Sequence, residues 1–325
     1  MELGLIGGLI ALAVAGMSWS LTGIVMSSAP RKGVDSSLVL LFGAVVALSI
    51  MAIWLVIERP TLQLDMIGCL AMYLVGGILN FTLLQLMSDA MQIGPNGVIW
   101  GIVQSGIIWP FTIGVIFFGD YFSMTRGCGM VLLLVALTLF GIAKPQGEAA
   151  HTHSRKWLVL ATLAFVFCGI QQTISNIPSY FEVGRSINPL YRSVMARGGI
   201  VIGVLVYNLY RHFAEGFRYH LSQLARPALW GYVVMLQGFS LISTYFLLYP
   251  GQDALARAGI GSASYPLLVS ACLIGFFLYS TLIMREKNRP IQYVAFACCL
   301  TGIVSICLKV DPLGDLFHWC VKFIG

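Results

Sequence analysis

The chain has 325 residues, 58% of them hydrophobic and only 10% charged, with mean hydropathy +0.87 and a formal net charge of +6. A soluble domain carries about 25% charged residues, so a soluble surface is excluded and a membrane protein is expected. The small positive excess is spread over loops. It lacks the concentrated basic face that nucleic-acid binding needs, and in a membrane protein such an excess sets topology.

A spanning helix needs about 20 mostly apolar residues. Ten segments satisfy this in chain order: 3–28, 36–57, 64–90, 94–118, 122–143, 157–180, 188–210, 227–249, 255–284 and 290–309. Met1-Glu2-Leu3 lacks the basic start of a signal peptide, so the first segment is expected to be a retained transmembrane helix. The longest connections, 144–156 and 211–226, are too short for a separate catalytic domain. The stretch 211–226 puts Phe213, Phe217, Leu221 and Leu224 on one helical face, with Arg211, Arg218 and Arg226 among its polar residues. It reads as an interfacial helix held by membrane lipids. The tail 311–325 repeats that pattern with Leu313, Leu316, Phe317, Cys320 and Ile324.

Ten spans put both termini on one side. That side holds seven basic residues: Arg59, Arg126, Arg185, Arg192, Arg257, Lys309 and Lys322. The other holds eleven: Arg31, Lys32, Lys144, Arg155, Lys156, Arg211, Arg218, Arg226, Arg285, Lys287 and Arg289. The positive-inside rule then places both termini outside, in the periplasm for an inner-membrane protein.

One piece of punctuation is written twice. "SDAMQIGPNG" (88–97) ends segment 3, and "QDALARAGIG" (252–261) ends segment 8. At nearly the same offset Asn80 falls opposite Tyr245, Trp100 opposite Tyr265, and Asp120 close to Glu286. Chance likeness between apolar stretches is the alternative. The shared Asp-Ala pair, the loop acids and the even division favour two five-helix halves, 1–148 and 149–310. An odd number of spans per half makes the second half inverted, a plan that recurs in secondary transporters, with the substrate site at the midplane.

These pieces resemble the drug/metabolite transporter superfamily. Gly77-Ile78-Leu79-Asn80, Asn188-Pro189-Leu190-Tyr191 and the basic hairpin 285–289 before Pro290 look like its bacterial sugar-transporter branch, which includes the L-rhamnose–proton symporter. The resemblance implies an all-α integral membrane protein of ten helices that takes up a small polar metabolite, most readily a sugar, by alternating access. An exporter of amino acids or drugs from the same superfamily is the second reading. A membrane-embedded lipid-modifying enzyme is the third, but no HExxH, paired His/Asp motif or phosphate-cradling loop appears. The chain is thus read as a non-enzyme without a cofactor, acting as a monomer or homodimer.

Polar side chains in membrane helices are costly and face cavities or other helices. The candidates for substrate contact are Trp19, Asn80, Gln85, Trp100, Gln104, Gln171, Gln172, Asn176, Arg197, Gln237, Tyr245 and Tyr265. Amides both donate and accept hydrogen bonds to sugar hydroxyls, and aromatic faces suit the C–H side of a pyranose. The plainer alternatives are interhelical glue for the amides, an interface belt for the aromatics and snorkelling for Arg197. Coupling is less clearly written. Asp89 and its mate Asp253 are the nearest acids to the membrane interior, and both also fit as loop acids near helix N-termini. H⁺, Na⁺ and facilitated diffusion all stay open. The eight cysteines include no CxxC and read as small packing residues. His151 and His153 alone make a weak metal motif.

Overall fold

The computed structural model describes residues 3–94, 96–143, 156–215, 222–278, 282, 289–308 and 310–314. The 144–155 loop with His151 and His153, most of the 285–289 hairpin, the centre of the 211–226 stretch and tail residues 315–325 lie outside them. All regular structure among the described residues is helical. The helices are α1 (Leu5–Ser28), α2 (Ser36–Glu58), α3 (Ile67–Ile93), α4 (Asn96–Gln104), α5 (Ile108–Phe118), α6 (Met124–Ala143), α7 (Lys156–Asn176), α8 (Glu182–Ser186), α9 (Pro189–Glu215), α10 (Pro227–Ile242), α11 (Tyr249–Arg257), α12 (Ser264–Leu278) and α13 (Pro290–Cys307). Among the described residues, eight helical stretches are long and apolar enough to cross a membrane, and Met124–Leu139 and Gly261–Gly275 are shorter apolar helices. The chain is an all-helical, multi-pass membrane protein.

Local chemistry starts these helices where the sequence punctuates. Asp35 caps α2, its carboxylate accepting from the Ser37 N–H at 2.9 Å. Asn188 does the same for α9, accepting from the Leu190 N–H at 2.8 Å. Pro189, Pro227 and Pro290 stand at first helical positions, where a missing N–H costs nothing. The start of α6 is capped from far along the chain. Asp311 accepts from the Thr125 hydroxyl (2.7 Å), the Thr125 N–H (2.9 Å) and the Met124 N–H (3.1 Å). Led by the Thr125 bonds, these contacts hold the Asp311 carboxyl at about 2.

In α1, Leu12 and Ala15 are buried, while Ile6, Ile10, Val14 and Met17 form an exposed apolar stripe. In water that stripe would be an aggregation surface, whereas in hydrocarbon it is the correct exterior. Inside, α3 lies between α7 and α9, and α1 packs on α10, α11 and α12. α2 packs on α9 and α10, α4 on α6 and α7, and α6 on α13. The α3–α9 contact is backbone on backbone. A Cβ at Gly77 would lie 2.0 Å from the Ala196 carbonyl oxygen, and one at Gly199 2.0 Å from that of Leu74. Small residues permit such approach, and close packing is what holds membrane helices together.

Four segments differ from the sequence expectation, and one of them, segment 9, expected from 255, begins its own helix only at Ser264, because 255–257 still belong to α11. Segment 4 is broken by a 3₁₀ turn, Ser105–Ile107, into α4 and α5. Segment 6 changes to a 3₁₀ turn at Ile177–Tyr180, where Pro178 removes a backbone donor. Segment 8 passes through a π turn, Ser243–Leu248, and runs on to Arg257. Polar Gln252 and Asp253 looked like loop residues, but they stay helical because both side chains are buried among neighbours. Both copies of the repeated punctuation therefore begin inside the last turns of a helix. Their exits differ: Gly94 is extended, whereas Gly259 is left-handed (φ 71°), a conformation that favours glycine.

Candidate functional site

The two ends of the bundle are built differently. At one end, α5, α7, α9, α11 and α12 converge on a dense polar cluster. Arg192 donates to both carboxylate oxygens of Asp253, at 2.9 and 2.8 Å, and to the Ile187 and Arg185 carbonyls at 3.0 and 2.9 Å. The Arg192 side chain is 0% exposed. Beside it, Asp120 accepts from the Tyr180 hydroxyl at 2.8 Å and from the Ser262 N–H. Arg126, also fully buried, donates to the Ile306 carbonyl at 2.8 Å, to the Ser262 hydroxyl at 3.2 Å and to the Tyr121 carbonyl. The Tyr121 N–H reaches the Gly259 carbonyl at 2.9 Å, and the Asn176 amide reaches Gly261 at 3.1 Å. Phe118 stacks on Tyr180 with ring centroids 4.2 Å apart. Bidentate, fully hydrogen-bonded charges of this kind are stable without water, so this end is closed.

The opposite end holds a cavity of about 290 Å³, lined by Asp35, Ser36, Gln85, Asp89, Gln92, Tyr207 and Arg211 together with the α1–α2 turn. Arg211 pairs with Asp35, and the guanidinium lies 5.7 Å from the Tyr207 ring centre. Asp35 also accepts from the Ser37 hydroxyl at 2.7 Å. Burial pushes the Asp35 carboxyl up, but the Ser37 bonds and the Arg211 charge outweigh it and hold the group below its ordinary value. Gln85 donates to Asp89 at 2.9 Å.

Between the ends lies an aromatic and amide layer. Tyr265 is buried, its hydroxyl facing Gln252, Ser175 and Gln171. Trp19 lies 6.3 Å from the Tyr265 ring. Tyr73 meets Tyr249 edge-on at 5.2 Å. Arg197 donates to the Ser240 hydroxyl at 2.6 Å. Several buried polar atoms here have no hydrogen-bond partner: the Tyr73 hydroxyl, Gln172 Oε1, the Thr173 hydroxyl and the Ser264 hydroxyl. Each such atom costs about 1–3 kcal/mol unless something polar meets it.

The residues expected to bind substrate are therefore distributed. Trp19, Gln171, Arg197 and Tyr265 belong to the middle layer. Asn80 lies on the α3 face that carries Tyr73 and Gly77, two turns toward the cavity. Trp100 fills the space beside Gly23 of α1 and touches both main apolar cores. Gln104 is half-buried at the break after α4. Gln172 donates to the Cys168 sulfur at 3.2 Å, and Asn176 is tied to the closed end. Gln85 and Asp89 face the cavity. Gln237 packs against Gly43 in the α2–α10 contact. Tyr245 lies apart on the surface, its ring 4.7 Å from Trp54 and its hydroxyl 3.2 Å from Glu58. Asp253 is the locked partner of Arg192. Sequence reasoning missed the pairing of Arg192 with Asp253, the Arg126–Asp120–Tyr180 cluster and the Asp35–Arg211 pair. Of these, only Asp35 had a readable signal, since an Asp before Ser-Ser and an apolar run marks a helix cap.

No family model matches the chain, and no curated protein matches it. Among solved structures, one described only as "Crystal structure of protein" aligns with a TM-score of 0.62 at 13% identity, covering 92% of this chain and 95% of its own. The likeness is one of fold.

Proposed function

We propose that this chain is a secondary transporter that moves a small polar metabolite across the inner membrane by alternating access. One observation carries the reading. A polar middle layer with unmet hydrogen-bonding capacity stands between an end closed around a buried ion pair and an end that holds a cavity of about 290 Å³. That is the form of a carrier caught open to one side.

Helix packing supports two inverted five-helix halves. α3 packs on α7 and α9, and its counterpart α10–α11 packs on α1, with α10 also on α2. α1 packs on α12 as α7 packs on α4 and α5, and α6 meets α13 across the axis. In the sugar-transporter branch that the sequence resembles, the substrate would be a sugar or sugar-like compound. Trp19 and Tyr265 offer aromatic faces to its ring, and Gln171 offers a hydrogen bond to its hydroxyls. Both termini and the closed end face the periplasm and the cavity faces the cytoplasm in this reading, which the positive-inside rule favours through Arg31, Lys32 and Arg211 at the cavity end.

Uptake of a panel of labelled monosaccharides into proteoliposomes, with and without imposed proton and sodium gradients, tests this. Saturable uptake of at least one is expected. Transport of none, with the protein folded, overturns the sugar reading.

A further inference from the structure

The two repeat-related acids have opposite environments. Asp253 is saturated by the Arg192 guanidinium and is 6% exposed. Asp89 is half-buried in the cavity wall and accepts one bond, from Gln85, while Gln85 Oε1 faces the Ser36 hydroxyl at 3.4 Å. Among the described residues Asp89 joins no ion pair. The charges around it are accounted for as follows. From the turn before α2, Asp35 is held by Ser37 and Arg211. From α9, Arg211 is turned to Asp35 and lies over Tyr207. From α7, Lys156 is within electrostatic range but stands exposed at the helix start. From the turn 30–32, Arg31 and Lys32 are exposed, and Lys32 lies 6.0 Å from the Tyr232 ring. α1 and α4 contribute no charged side chain.

Closing this end would take the Asp89 carboxylate out of water with one amide for company. An ion so poorly compensated costs several kcal/mol to bury, whereas a neutral carboxylic acid bonded to an amide is ordinary. We propose that Asp89 is the coupling-ion site of this carrier, taking up one proton from the cavity-side solution. One O–H bond forms at the carboxylate oxygen that Gln85 does not hold, and the loss of charge permits the cavity end to close. Asp253, held by two nitrogens of the Arg192 guanidinium, is assigned no such role. The inference rests on the alternating-access reading, but its test needs no identified substrate.

Gln92 lines the same cavity, so a Gln92→Cys variant reports its accessibility to a membrane-impermeant maleimide in cytoplasmic-side-out vesicles. The labelling rate, divided at each pH by that of the same cysteine in the unfolded protein so that the thiol's own ionisation cancels, is expected to fall by about fivefold between pH 8 and pH 5, the lower range of coupling between linked sites. In Gln92→Cys/Asp89→Asn, labelling is expected to be slow at every pH, because Asn mimics the neutral acid. Tyr245→Phe in the same background, at a residue that lies apart from the cavity and from the closed end, separates coupling from general damage and is expected to keep the pH response. A pH-independent rate with Asp89 intact, a pH response that survives Asp89→Asn, or a response to sodium at fixed pH would each overturn the proposal. Failure of sugar uptake alone would leave this result standing and would remove only the substrate reading.

Discussion

The closed end and the cavity end use similar side chains for different purposes. At the closed end each arginine meets several partners: Arg192 has a bidentate carboxylate and two carbonyls, and Arg126 has three acceptors. At the cavity end only Asp35 is satisfied in this way, and Asp89 beside it is held by one amide. The lesson is that an acid's sequence context does not give its role. The repeated Asp-Ala places both acids one turn before a junction, and the partner supplied by a distant helix decides which is locked and which faces the cavity.

The strongest way to break this contrast is to unlock the closed end. Asp253→Asn leaves a buried guanidinium without its counter-charge, a loss of about 3–5 kcal/mol, read as a large fall in unfolding temperature in detergent. Replacing the pair together, as Arg192→Met with Asp253→Leu, is expected to recover most of that stability, because no isolated charge remains. An equally unstable double variant would show that the pair does more than balance charge.

The waist between the two ends comes next. Gly77→Val drives a side chain into the Ala196 carbonyl, 2.0 Å from where its Cβ must stand. The neighbour is backbone and cannot turn aside, so destabilisation of about 1–3 kcal/mol is expected, measurable by the same thermal assay. Unchanged stability would show that α3 and α9 separate readily.

In the middle layer, Gln171→Leu is expected to lower transport kcat/KM by about tenfold through loss of one substrate hydrogen bond, or about 1.4 kcal/mol, with little change in unfolding temperature. Tyr245→Phe, at a residue that lies apart from the layer, serves as its control and is expected to transport normally.

The smallest effect belongs to the satisfied pair at the cavity end. The folded-state value of Asp35 is depressed, so its contribution is complete above the unfolded carboxyl value of about 4 and is lost as pH falls through the folded value. With Arg211 partly exposed, the contribution is about 1 kcal/mol. An acid-range stability scan of Asp35→Asn should lack that step.

Much of the fold was legible because a bilayer imposes a length and a composition on each span. Apolar runs, first-position prolines and the cap at Asn188 mark nearly every helix start. The exceptions have a physical cause. The extension of segment 8 through Gln252 and Asp253 could not be read, because polar residues look like a loop until a buried arginine from α9 is known to meet them. The site was partly legible. Trp19, Gln171, Arg197 and Tyr265 were chosen as polar or aromatic residues within apolar helices, and they do share one layer. Tyr245 and Gln237 satisfied the same criterion and lie apart, since helical position says nothing of which neighbour covers a face.

The sequence by itself determined that this is a helical membrane protein, where most of its helices begin, and that one junction is written twice. These are properties of local composition and of short-range hydrogen bonding. Only the tertiary structure decided that Arg192 closes on Asp253, that Arg126, Asp120 and Tyr180 form one cluster, and that Asp89 faces a cavity. Those outcomes depend on contacts between helices far apart in the chain, set by close packing at a few glycines.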